Sequence, residues 1–158
     1  MIAALAFMWQ AATVTLPYPW LEYCYRTRDP GCAVETITPR DLALLNMEIT
    51  EAIQTVENPD YYESWTPFPA GRTGDCNTDA ATKRGALLAL GLDPMAMRFE
   101  TGEADGERHI VLVVRLDGRE YVLDRKTPDR IYAPDKRPYA WKPLATQTPE
   151  QVTWRTPN

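Results

Sequence analysis

The stretch His109–Asp124, H-I-V-L-V-V-R-L-D-G-R-E-Y-V-L-D, constrains this chain more than any other segment. A β-branched, apolar run reads as a strand. Asp117-Gly118 behind it is a strong two-residue hairpin signal, because both residues tolerate the positive φ that such a turn needs. Glu120–Asp124 is then the return strand. If Asp117 and Gly118 are the two turn residues, Leu116 faces Arg119, Val113 faces Val122 and Val111 faces Asp124. Side chains alternate along a strand, so His109 and Val111 share a face. Asp124 falls on that same face, diagonal to His109 and about 7–8 Å away at the backbone, within side-chain reach. The turn therefore predicts a carboxylate beside the chain's one histidine. A register slip of one residue would send Asp124 to the other face.

Upstream the periodicity is helical. Thr38-Pro39-Arg40-Asp41 carries an N-cap, a proline at the first helical position and an acid three residues on. Leu42, Leu45, Ile49, Ile53 and Val56 follow at helical spacing, and Asn58-Pro59 closes a helix predicted over 39–57. Residues 58–73 have no clear period and read as an ordered loop whose aromatics, Tyr61, Tyr62, Trp65 and Phe68, need something to cover. Asn77–Leu90 is rich in Ala and Leu and predicts a second helix, with Gly91 as its stop. Met95, Met97 and Phe99 suggest a strand, and T-G-E-A-D-G-E-R a polar loop before His109. Residues 129–158 suggest one or two edge strands and a tail. Helices followed by antiparallel strands give an α+β class, the helices packed against an antiparallel β-sheet. The charged groups Arg125, Lys126, Asp129 and Arg130, and Asp135-Lys136-Arg137, read as solvated surface.

The 158 residues suit one domain, and a hydrophobic fraction of 44% excludes wholesale disorder. A net charge of −5 gives no electrostatic footprint for nucleic acid. No run approaches the roughly 18 apolar residues of a membrane span. Residues 1–17 resemble a short signal h-region without a basic start; a retained apolar strand or helix is the alternative. Cys24 and Cys32 flank the turn signal Asp29-Pro30-Gly31, and a disulfide between them implies an oxidising compartment. Three buried free thiols in a cytosolic protein is the other reading.

Cys76, the cysteine left over, sits at the start of the second predicted helix. There, unpaired backbone N–H groups and the helix dipole favour thiolate over thiol. A histidine base and a carboxylate that orients it complete the chemistry of a cysteine nucleophile. Cys76, His109 and Asp124 are thus the candidate catalytic set. Each alone has a plainer reading: a packed cysteine, a structural histidine, an acid ending a strand. Trp65 is a candidate oxyanion donor beside the Cys76 backbone N–H; an aromatic lid on the core is the alternative. One histidine and no C-x-x-C exclude the common zinc sites.

Gly74-Asp75-Cys76-Asn77-Thr78-Asp79-Ala80, His109-Ile110-Val111-Leu112 and Tyr121-Val122-Leu123-Asp124 resemble three segments of the bacterial transglutaminase-like cysteine proteinases, whose pattern is G-D-C-E-D-Y-A, H-A-V-L and L-D-N. Cys24–Cys32 and Trp141–Gln147 are similar to further segments, so the likeness spans about residues 18–154. It implies a papain-like or transglutaminase-like core in a proteinase domain over 18–158, with Cys76 as nucleophile, His109 as base and Asp124 as orienter. Asp75 and Asn77 would flank the nucleophile in the substrate-binding region. It implies a protein or peptide substrate and a periplasmic or otherwise extracytoplasmic place in a bacterial or phage-encoded protein; a monomer is the default. LapG-like members cleave a surface adhesin and require calcium, held by acids flanking the nucleophile. Here Asn77 and Thr78 replace two of those acids and Asp79 replaces the tyrosine, so the expectation is no cofactor and no metal. Arg125 stands where the family has Asn. The rival functions are a degenerate relative that docks a peptide, and a cell-wall amidase.

Overall fold

The computed structural model describes residues 16–56, 65–147 and 154–156. Among the described residues, two of three helices lie against one face of a five-stranded antiparallel sheet, and the first packs on the other two. Helix α1 spans Tyr18–Thr27, α2 Pro39–Ala52 and α3 Cys76–Ala89. A two-stranded parallel ribbon joins β1 (Gln54–Thr55) to β2 (Thr73–Gly74). The main sheet runs in the order β5-β4-β3-β6-β7, from β3 (Met97–Ala104), β4 (Glu107–Leu116), β5 (Arg119–Leu123), β6 (Trp141–Gln147) and β7 (Trp154–Arg155).

Helix α2 starts as expected. The Thr38 side chain accepts from the Asp41 N–H, and the Asp41 carboxylate accepts from the Thr38 N–H, a reciprocal capping box. It ends earlier than the predicted 39–57. Ile53 leaves the helix in extended conformation, and Gln54 and Thr55 pair with Thr73 and Gly74. Parallel pairing ahead of the helix that carries Cys76 overrides the helical spacing, and Val56, predicted to be inward, is exposed. Asn58-Pro59, Tyr61 and Tyr62 lie outside the described residues, as do residues 1–15 of the signal-like segment.

Helix α1 has no counterpart in the sequence reading. Pro17 and Pro19 start it rather than break it, since the first turn needs no N–H donors. It buries Tyr18, Leu21 and Cys24. Cys24 is bonded to Cys32, with Cα atoms 5.8 Å apart, and the short loop closed this way stabilises the fold by about 2–3 kcal/mol. Phe68 fills the space between Tyr18 and Tyr25, at 5.3 and 5.1 Å between ring centres, so this loop aromatic does cover the core.

The Asp117-Gly118 hairpin has the expected register, with Leu116 opposite Arg119 and Val113 opposite Val122. Residues 101–108 are not a loop. Strand β3 continues to Ala104, a second two-residue turn at Asp105-Gly106 follows with φ of 48° and 84°, and β4 begins at Glu107. The same Asp-Gly chemistry that marks the first turn also makes this one. Strand β6 is interior, between β3 and β7, rather than at the edge. The helix-facing side of the sheet contributes Met97, Phe99, Ile110, Leu112, Val114 and Leu123 to the main core. The far side carries Val111, Val113 and Val122 under Tyr132.

Candidate active site

Cys76 is the first residue of α3, and Asp75 caps that helix by accepting from the Thr78 backbone N–H at 3.0 Å and its hydroxyl at 3.1 Å. Gly74 must be glycine here for want of space: a Cβ would come within 2.6 Å of the Thr78 side chain. The Cys76 thiol is half-buried and donates to Asn77 Oδ1 at 3.6 Å. His109, two residues into β4, stands on the sheet face of Val111, as the register required. Its Nε2 lies 2.6 Å from Asp124 Oδ1.

Asp124 is fully buried and saturated. Oδ1 also accepts from the Lys126 backbone N–H at 2.8 Å, while Oδ2 accepts from the Tyr132 hydroxyl at 2.5 Å and from the Tyr139 hydroxyl. Burial alone would oppose its ionisation. The hydrogen bond and charge of His109, with the two tyrosine hydroxyls, hold it well below the usual carboxylate range. Burial likewise would lower the His109 pKa, but hydrogen bonding to Asp124 and Cys76 and their charges lift it from 6.5 to about 9. The Tyr139 hydroxyl, buried against this carboxylate, is pushed up to about 12. Thiol, imidazole and carboxylate therefore come together from three elements.

A cleft of about 250 Å³ opens onto the thiol and the imidazole, lined by Trp65, Asp75, Cys76, Asn77, His109 and Leu144 among others, with Asp124 buried behind it. Trp65 is 40% exposed on its wall and meets the Phe99 ring edge-on at 5.1 Å. A groove of about 320 Å³ lies elsewhere, between Tyr25, Asp29 and Gly85. Its lining brings no cysteine together with a histidine, so the smaller cleft is the candidate site.

Two expectations of solvated surface are corrected. Arg125 is 15% exposed and donates to Asp79 Oδ2 at 3.2 Å, to the Ile53 carbonyl at 2.5 Å and to Thr55 Oγ1 at 2.6 Å. Arg137 is 6% exposed, paired with Glu100 at 2.5 Å and stacked on the Trp141 ring. Asp79 is buried as well and pairs with the fully buried Lys83. As partners of Asp124, Tyr132, Tyr139 and the Lys126 backbone N–H were not foreseen in the sequence, while the Lys126 side chain is exposed as expected. The loop from Asp124 to Arg130 looked bland because its order comes from α2: buried Asn46 Nδ2 lies 3.0 Å from the Thr127 carbonyl and 3.4 Å from that of Asp124.

Most carboxylate oxygens near Cys76 already have partners within the chain. The oxygens of Asp79 are taken by Lys83, Arg125 and the Thr50 hydroxyl, and Oδ1 of Asp75 is occupied as a cap. Among the described residues no group of three or more His, Cys, Asp or Glu side chains is placed to hold a metal.

The sequence family described as bacterial transglutaminase-like cysteine proteinase matches residues 10–156. Calcium-bound LapG of Legionella pneumophila superposes with a TM-score of 0.62 at 19% identity, over 81% of this chain and 72% of that one. EGTA-treated LapG gives 0.61 at 19% identity, over 81% and 70%. A Cytophaga hutchinsonii protein provisionally assigned as a cysteine protease gives 0.57 at 14% identity, over 89% of this chain and 48% of the other. No curated protein matches the chain.

Proposed function

The chain belongs to the bacterial transglutaminase-like cysteine proteinases, and from that premise we propose that Cys76, His109 and Asp124 are its catalytic triad, hydrolysing a peptide bond in a protein substrate. The supporting observation is the 2.6 Å contact between His109 Nε2 and Asp124. With Nε2 held there, Nδ1 is the nitrogen left to exchange a proton with Cys76. The thiolate attacks the carbonyl carbon, forming a C–S bond and a tetrahedral oxyanion. The Cys76 backbone N–H, at the first position of α3 and so without an intrahelical acceptor, is the first oxyanion donor. The imidazolium gives its proton to the leaving amine as the C–N bond breaks. Water, deprotonated by His109, then cleaves the thioester and restores the thiol. Trp65, Asp75 and Asn77 form the cleft wall that meets the substrate.

The His109–Asp124 contact and the cleft shared by Cys76 and His109 support this reading over a degenerate binding module, and nothing at the site favours a cell-wall amidase. The buried Cys24–Cys32 disulfide supports an extracytoplasmic place. No described helix is long and apolar enough to cross a membrane. The family is bacterial, and the comparisons lend a phage origin no support. We place the catalytic domain at 18–158, acting as a monomer. We also propose that the enzyme works without a bound calcium ion.

Iodoacetamide labelling of Cys76 at pH 6 tests the triad. The wild-type rate is expected to exceed that of His109→Ala by about 100-fold, the lower range for a positioned base. Cys76→Ala abolishes both labelling and peptide hydrolysis. Equal rates in wild type and His109→Ala would remove the catalytic reading.

A further inference from the structure

Arg125 follows the orienting acid directly, yet its guanidinium reaches back to both flanks of the nucleophile. Nη1 bonds Asp79, three residues beyond Cys76 on α3. Nη2 takes the Ile53 carbonyl at the end of α2, and Nε and Nη2 take Thr55 Oγ1 at 3.1 and 2.6 Å. Thr55 lies in β1, which pairs with Gly74 of β2, two residues before Cys76. One side chain thus ties the segment carrying Asp124 to the strand that leads into Cys76 and to the helix that leads away. The planar, multi-donor guanidinium can do this where an ammonium cannot.

The charges close as well. Lys83, Arg125 and protonated His109 face Asp79 and Asp124, all at most 15% exposed, so neither carboxylate lacks a cation. A divalent ion added here would leave buried positive charge uncompensated.

We propose that Arg125 is a positioning residue, a cation built into the chain that fixes the acid–imidazole pair against the nucleophile's helix. The inference rests on the triad reading, and the test separates the two. The Cys76 alkylation rate by iodoacetamide is measured at pH 7 and 20 °C on protein shown by circular dichroism to be folded. Arg125→Met is expected to slow it at least tenfold, and Arg125→Lys to recover part of that loss while the Ile53 and Thr55 bonds stay weakened. Thr50→Val removes a different bond to Asp79, leaves the strap in place and keeps the rate within twofold. Thr55→Val removes one anchor at an exposed site and slows labelling about threefold; it carries the comparison if Arg125→Met does not fold. Wild-type rates in Arg125→Met and Thr55→Val, with His109→Ala still slow, would overturn the role of Arg125 alone. A wild type no faster than His109→Ala would overturn the triad itself.

Discussion

At the scale of the residue, the site turns on one carboxylate. Asp124 spends one oxygen on His109 and Lys126 and the other on two tyrosine hydroxyls, so it neither rotates nor takes up a proton near neutral pH. The consequence lies in His109, held protonated up to about pH 9. Above that pH the imidazolium has no proton for the leaving amine. The kcat/KM profile for peptide hydrolysis is therefore expected to fall on its alkaline side near 9. In Asp124→Asn the carboxylate charge is gone while burial still lowers the ring's pKa. The alkaline limb then moves down by at least one unit, and an unmoved limb would show that Asp124 does not set it. The same linkage acts on stability. Folded His109 binds its proton more tightly than the unfolded side chain at 6.5, so its contribution is complete below about 6.5 and lost as pH rises through about 9. The His109–Asp124 juxtaposition was legible in sequence because a two-residue turn fixes register. Tyr132 and Tyr139 were not, because they reach Asp124 from coil, where no periodicity says which way a side chain points.

At the scale of the element, α3 is the unusual piece. It is buried nearly all round, including Asn77, Thr78, Asp79, Thr82 and Lys83. Its existence was readable from the alanines and leucines, but its buried polar residues carry no hydrophobic pattern, so their partners stayed hidden. Helix α1 was missed because its prolines and aromatics imitate a loop; tertiary burial of Tyr18 and Leu21 decides the matter. The far half of β3 was missed because Thr101, Glu103 and Asp105 look like a polar connection, although Asp105-Gly106 carries the signal used correctly at Asp117-Gly118. The junction of β2 and α3 gives a prediction at this scale. In Gly74→Ala the new Cβ would stand 2.6 Å from the Thr78 Cβ, so the cap or the strand must shift. Overpacking of this kind costs about 1–3 kcal/mol. Chemical denaturation is expected to register that loss, and Cys76 labelling to slow because the thiol moves with the helix start. A variant of unchanged stability and rate would show that the junction gives way freely.

At the scale of the whole molecule, the helix layer carries Cys76, the sheet carries His109 and leads into Asp124, and the Arg125 side chain crosses between layers. The fold is shared with LapG at 19% identity, while the charges around the nucleophile are arranged differently from the family's acidic pattern. That difference bears on calcium. A chain of net charge −5 will gather divalent ions loosely over its surface, so weak, salt-sensitive binding decides nothing. A specific site would saturate, stabilise the native state by mass action and raise the melting temperature with calcium concentration. With Asp79 already facing two cations and Asp75 capping α3, no such linkage is expected. The melting temperature should differ by less than about 1 °C between 1 mM EGTA and 2 mM calcium chloride, and calorimetry should find no saturable site at 0.1 M salt. The Cys76 labelling rate should be the same in both solutions. A saturable site, or labelling that collapses in EGTA and returns with calcium, would mean that the internal cations do not complete the site.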